Sequence, residues 1–290
     1  MSHTNRLVCA DCLDELQRMS DGACQLIYLD PPFNTNQKRS APPPRSTRRA
    51  AGQKPLRIHA EYADSFGRSG AYIDYMRPRL EQLRRVLSPD GSLFFHCDWR
   101  MSHHVRTLLD ELFGLSSAGD RAGVFVNEII WHYGLGAARA ARHLMTKHDV
   151  IFWYANSGQY TFNLMREAPT PAMLAKYSHT DALGNRYMNS YGRRYMLKGG
   201  KPLDDVWDIP SISPTAGERV GYPTQKPLAL LLRIVQLASN PSDLVLDPFC
   251  GSGTTLLAAQ QCGRRWIGID ANTQAIEIAA ERLHVKWQGQ

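Results

Sequence analysis

Leu26-Ile27-Tyr28-Leu29-Asp30-Pro31-Pro32-Phe33 is an apolar run that stops abruptly at a carboxylate, two prolines and an aromatic ring. A short run of Leu, Ile and Tyr bounded this sharply reads as a strand buried on both faces, as in parallel sheets. Asp30 then stands at the strand's carboxyl end, where open α/β sheets hold their ligands. Pro32 keeps Pro31 extended, and neither proline carries a backbone N–H. Just past the strand the chain therefore offers acceptors only, the Asp30 carboxylate and the carbonyls of Asp30 and Pro31, with the flat face of Phe33 beside them. That set suits a planar ring bearing an amino group, which donates two hydrogen bonds and stacks. The plainer alternative is a strand closing in a Pro-Pro turn, with Asp30 capping a backbone N–H. The motif alone does not choose between them.

Working outward, strands and helices alternate. Residues 6–10 read as a strand, and Asp11 is placed to cap a helix whose Leu13, Leu16 and Met19 share a face. Residues 70–87 are helical by period, with Ile73, Met76, Leu80, Leu83 and Leu87 on one side, and Ser88-Pro89-Asp90-Gly91 is expected to end that helix. Ser92–Cys97 is a further strand, His103–Phe113 a helix, and Val124–Trp131 and Asp149–Tyr154 two more strands. This alternation predicts an α/β fold with a mostly parallel, doubly wound sheet. Two stretches break the pattern. Residues 34–70 hold Lys38, Arg39, Arg45, Arg48, Arg49, Lys54 and Arg57, with no Asp or Glu between Pro31 and Ala60, and read as a mobile basic loop that meets phosphates. Residues 155–221 interleave Tyr160, Tyr177, Tyr187, Tyr191 and Tyr195 with arginines and lysines, a pairing that stacks bases and grips phosphates.

The 290 residues suit one large domain with an insert, and a 43% hydrophobic share is enough for a core. A net charge of +7 favours an acidic partner, most often nucleic acid. No stretch approaches the ~18 apolar residues of a membrane span, and the first residues lack a signal-peptide core, so a cytoplasmic protein without membrane contact is expected. The six cysteines read as reduced structural thiols: Cys9 and Cys12 form a C-x2-C, but no second pair follows at zinc spacing. No metal is expected.

Near the other end, Asp243–Asp247 reads as a strand, Pro248-Phe249-Cys250-Gly251-Ser252-Gly253-Thr254 as its turn, and Leu256–Gln261 as a helix. Glycines in such a turn let the backbone approach a ligand closely. The dinucleotide fingerprint fails because its third glycine would fall at Leu256. Asp247 would repel a pyrophosphate and suits a cationic ligand with a free amino group. Asp270 ends the next strand, the usual place for an acid that binds ribose hydroxyls. Ribose plus a cationic amino-acid tail describes S-adenosylmethionine.

At this point the chain resembles the amino-methylating DNA methyltransferases. Asp30-Pro31-Pro32-Phe33 is similar to their catalytic motif, Phe249-Cys250-Gly251-Ser252-Gly253 to their cofactor motif, and Tyr222-Pro223-Thr224-Gln225-Lys226-Pro227 to the segment before the cofactor strand. The order of the motifs is that of the family's β group. The resemblance implies a seven-stranded sheet, permuted so that the cofactor half comes last: 1–154 the catalytic half, 155–221 a target-recognition insert, 222–290 the cofactor half. It implies that Asp30 and Asp247 lie on neighbouring strands, that Asp11 lies near the cofactor's adenine, and that Thr224, Gln225 and Lys226 flank its methionine end. Pro248, Phe249, Ser252 and Thr254 go with the cofactor turn. The implied activity is methyl transfer from S-adenosylmethionine to the N6 amine of adenine in double-stranded DNA, directly and after base flipping. The alternatives are N4-cytosine methylation and a catalytically inactive DNA-binding regulator. A homodimer and a partner restriction endonuclease are left open by the resemblance.

Overall fold

The computed structural model describes residues 5–33, 66–114, 123–134, 142, 144–213 and 215–287, with the backbone of 37–39 and 62–64. The first half runs β1 (Arg6–Cys9), α1 (Cys12–Arg18), β2 (Cys24–Leu29), β3 (Gln37–Arg39), β4 (Tyr62–Asp64), α2 (Ser69–Val86), β5 (Leu87–Cys97), α3 (Ser102–Phe113), β6 (Val124–His132) and β7 (His148–Ala155). Then come α4 (Pro171–Lys176), β8 (His179–Thr180), β9 (Arg186–Ser190), β10 (Arg193–Met196), β11 (Val206–Asp208), α5 (Leu228–Ala238), β12 (Leu244–Asp247), α6 (Thr254–Gln261), β13 (Arg265–Asp270) and α7 (Thr273–Leu283).

The main sheet has the order β1-β13-β12-β2-β5-β7-β6-β11. All its pairings are parallel except those of β7, which runs against both β5 and β6. Side chains alternate across the sheet as strand geometry requires. Ile27 and Leu29 join one core with Leu16, Met76 and Leu109 from α1–α3. Leu26 and Tyr28 join the other with Leu230, Leu256 and Ile276 from α5–α7. The expected doubly wound α/β sheet is present.

Three details differ from the sequence reading. The sheet has eight strands among the described residues, not seven, because β11 pairs in parallel with β6 and buries Trp207. Three residues are too short for a periodic signal. Residues 88–91 do not form a separate turn but belong to β5, which starts at Leu87 opposite Cys24, with an irregularity before Leu26. The segment 34–70 contains the antiparallel β3–β4 ribbon, and its end opens α2. Most of the basic stretch, including Arg45, Arg48, Arg49, Lys54 and Arg57, lies outside the described residues. Among the described residues no helix is long and apolar enough to cross a membrane. Cys12 and Cys24 are buried, and burial pushes each thiol up to about 12.

Candidate active site

The parallel pairing of β2 with β12 sets Val245 opposite Leu26 and Leu246 opposite Ile27. Asp247 therefore ends its strand beside Tyr28, with Asp30 two residues further along the same edge. Both carboxylates line one cavity of about 890 Å³. Residues 217 positions apart in sequence thus share a crevice at the carboxyl ends of central strands, the usual ligand position of such sheets.

This cavity is acidic, and backbone N–H groups hold two of its carboxylates in place. Asp247 is 2% exposed and accepts the Phe249 N–H at 3.0 Å. Burial pushes its carboxyl up to about 7; hydrogen bonds from Thr255 and Phe249 oppose the shift, and the charges of Asp30 and Asp270 add to it. Asp270 accepts Asn272 N–H on Oδ1 and Gly251 N–H on Oδ2, each at 2.8 Å, and burial raises its carboxyl too. Gly251 has φ 49°, and a Cβ there would come within 3.0 Å of the Tyr222 ring. Four carboxylates, of Asp11, Asp30, Asp247 and Asp270, around a cavity of this size, with a backbone that glycine carries close past Tyr222, fit a ligand with ribose hydroxyls and a cationic tail.

The remaining residues expected at a cofactor divide as follows. Asp11, Thr224, Gln225, Lys226, Pro248 and Phe249 line this cavity, as do Ser252 and Thr254. Asp11 also caps α1, accepting Leu13 N–H at 2.9 Å, and pairs at 2.5 Å with Arg79, whose guanidinium lies over Tyr75. Gly253 is not in the lining. Its φ is 73°, and a Cβ would meet that of Ala279 at 3.0 Å, so its glycine lets α6 sit against α7.

A second cavity of about 520 Å³ adjoins the first and shares Asp30, Thr224, Gln225 and Lys226 with it. Pro31 and Phe33 line this second side, whereas Pro32 lines the first. Its other walls include Trp99, Arg100, Trp131, Tyr133 and Asp149. Lys226 Nζ pairs with Asp30 Oδ2, both side chains being largely buried, and lies 5.4 Å from the centre of the Phe33 ring. Asp30 Oδ1 is buried and has no hydrogen-bond partner among the described residues. Such an acceptor is costly unless something donates to it.

A profile of the N6/N4 DNA methylases matches residues 24–281. The chain belongs to the DNA methylase family. It is an S-adenosylmethionine-dependent DNA methyltransferase. The type II methyltransferase M.HpaI of Haemophilus parainfluenzae is 25% identical to it over 284 residues, 98% of this chain and 76% of that protein. The DNA adenine methyltransferase YhdJ of Escherichia coli is 28% identical over 283 residues, 96% of this chain and 82% of that one. Two solved structures share the fold. The M1.HpyAVI–SAM complex superposes with a TM-score of 0.58 at 20% identity, covering 97% of this chain and 99% of its own. The cytosine-N4-specific PvuII DNA methyltransferase gives 0.63 at 14% identity, covering 96% and 86%.

Between its two cavities this methylase has a buried chain of polar groups that no local sequence signal marks. Tyr28 Oη and His96 Nδ1 are 2.8 Å apart, and His96 Nε2 and Asp149 Oδ2 are 3.2 Å apart. Tyr28 lines the first cavity, Asp149 the second, and the fully buried His96 ring lies 5.8 Å from that of Phe33. Burial pushes the Asp149 carboxyl up, but His96, Lys226 and Tyr133 outweigh it and the net shift is downward. Asp98, one residue beyond β5, could have been found by the strand-end rule that found Asp30. Asp149 could not: it opens its strand, and only the reversed direction of β7 brings that end to the site.

Proposed function

We propose that this enzyme methylates the N6 amine of adenine in double-stranded DNA by direct transfer to a flipped base. The observation that carries the reading is Asp30, which lines both cavities and whose buried Oδ1 has no hydrogen-bond partner among the described residues. A ring amine is a poor nucleophile because its lone pair is delocalised into the ring. Asp30 Oδ1 and the Pro31 carbonyl each accept one of its hydrogens, which favours a pyramidal nitrogen and aims the lone pair at the first cavity. Bound S-adenosylmethionine supplies an electrophilic methyl group. Asp30 stabilises the positive charge that develops on the nitrogen, and Lys226 fixes which carboxylate oxygen stays free. Phe33 stacks on the extruded base, since a base within the duplex cannot reach the crevice. In the first cavity Asp247 takes the cationic tail, Asp270 the ribose, and the turn from Pro248 to Thr254 closes around them.

The adenine preference rests on Asp rather than Ser at position 30 and on the YhdJ name. Mass spectrometry of nucleosides hydrolysed from treated duplex DNA tests it. N6-methyladenine is expected, and N4-methylcytosine instead would overturn the choice of base. We place target recognition within 155–221 and phosphate contact in 34–70, and the halves 1–154 and 222–290 build the two sides of the site. The type II name of M.HpaI motivates a cognate restriction endonuclease as partner, and light scattering tests a homodimer. We place the enzyme in the cytoplasm, together with its DNA substrate.

A further inference from the structure

Residues 168–200 are joined to the rest of the enzyme by a narrow neck. Arg166 pairs with Pro202 across it, Glu167 N–H donates to the Lys201 carbonyl at 3.0 Å, and Leu203 N–H donates to the Met165 carbonyl at 3.1 Å. Past the neck lie α4 and the three-stranded antiparallel sheet β8-β9-β10. No residue from 168 to 199 is buried. Small antiparallel sheets ordinarily gain stability by burying one face, and this one has no such face among its own residues. Its charge is predominantly positive: Lys176, Arg186, Arg193, Arg194 and Lys198 stand against Asp181 alone. That carboxylate is already engaged by the N–H groups of Leu183 and Asn185. The charge fits a polyanion covering the lobe.

The tip of the hairpin names the reading residue. Ser190 pairs with Arg193, which leaves Tyr191 and Gly192 as a two-residue loop with φ of 49° and 70°. Turns with both central residues at positive φ call for Asn-Gly or Asp-Gly. A tyrosine is disfavoured there, and at 99% exposure its ring gains nothing from packing within the chain. An aromatic ring held in an unfavourable backbone geometry at an exposed tip is the mark of a contact outside the fold. A two-stranded ribbon is narrow enough for the DNA major groove.

We propose that the β9–β10 hairpin enters the major groove of duplex DNA with Tyr191 leading, its ring packed against base edges and Arg193 and Arg194 on the flanking phosphates. This rests on the duplex-DNA reading above and narrows it to one loop. The decisive variant is Tyr191→Asn in the full-length enzyme, because Asn suits the turn better than Tyr and should leave the thermal midpoint equal or higher. The expected result is a DNA KM raised about tenfold or more, with the S-adenosylmethionine Kd unchanged. Tyr191→Phe should retain near wild-type KM, and Arg193→Ala or Arg194→Ala should each lower the salt slope of DNA binding by about one. A wild-type DNA KM in Tyr191→Asn overturns the proposal, as does a variant that alters only self-association. If the wild-type enzyme fails to bind or methylate duplex DNA at all, the functional reading falls first.

Discussion

The two cavities that meet at Asp30 both carry carboxylates and aromatic rings, but in different arrangements. The first gathers Asp247 and Asp270, tied to backbone N–H groups at the ends of β12 and β13, with Tyr28, Tyr75, Tyr222 and Phe249 around them. The second sets Phe33, Trp99, Trp131 and Tyr133 beside Arg100, with Asp98 and Asp149 among them. One side is suited to a polar cation, the other to a flat ring attached to a polyanion. Asp30, held by Lys226, is the carboxylate common to both. The difference teaches that binding and chemistry are separable here: each ligand has its own wall, and only the shared boundary has to be exact in geometry for transfer.

Substitution at the boundary should therefore differ in kind from substitution on either wall. Asp30→Ala is expected to lower kcat by at least about 10³-fold, since it removes both an acceptor and the positioning of the amine. Its S-adenosylmethionine Kd should stay within about threefold by calorimetry. Activity within tenfold of wild type would show that the boundary is not where transfer occurs. On the second wall, His96→Gln breaks the links to Tyr28 and Asp149 and takes away the ring beside Phe33. We expect kcat/KM for DNA to fall about 10–10²-fold, with a lowered thermal midpoint from the disrupted buried bonds and an unchanged cofactor Kd. Equal losses for both substrates would mean that the walls are coupled.

On the first wall the expected effect is smaller and depends on pH. The Asp247 carboxyl lies at about 7 in the fold against an ordinary 3.8. The ligand-free protein thus holds that proton where the unfolded chain has lost it. The stability this contributes is complete below about pH 4 and is lost as pH rises through about 7. Binding a cation needs the ionised form, so cofactor affinity should rise from pH 6 to pH 8, by at most about tenfold per unit below 7. Asp247→Asn should flatten that profile. A wild-type profile that is already flat would remove Asp247 from contact with the charged tail.

Much of this was legible in the chain because apolar runs that end in a carboxylate are a local signal. Asp30, Asp247 and Asp270 were each found that way. Direction is not local: the run at Asp149–Tyr154 reads the same in a parallel or an antiparallel strand, so Asp149 stayed hidden. The pairing of Lys226 with Asp30 spans 196 residues and leaves no trace in either neighbourhood. Gly253 shows the converse limit. A Cβ there would meet that of Ala279 at 3.0 Å, and a turn motif cannot separate this packing demand from room for a ligand. Tyr191-Gly192 escaped notice as a turn because tyrosine is the wrong residue for one.

By itself, the sequence determined the chemistry available at each strand end: acceptors without donors at Asp30–Pro31, glycine and acid at Asp247–Asp270. Only the tertiary structure decided which of those ends adjoin, which strand runs backwards, and which lysine reaches Asp30. The reason is physical. Side-chain chemistry travels with the residue, whereas strand order and register follow from packing two apolar layers of helices against one sheet, which depends on the whole chain at once.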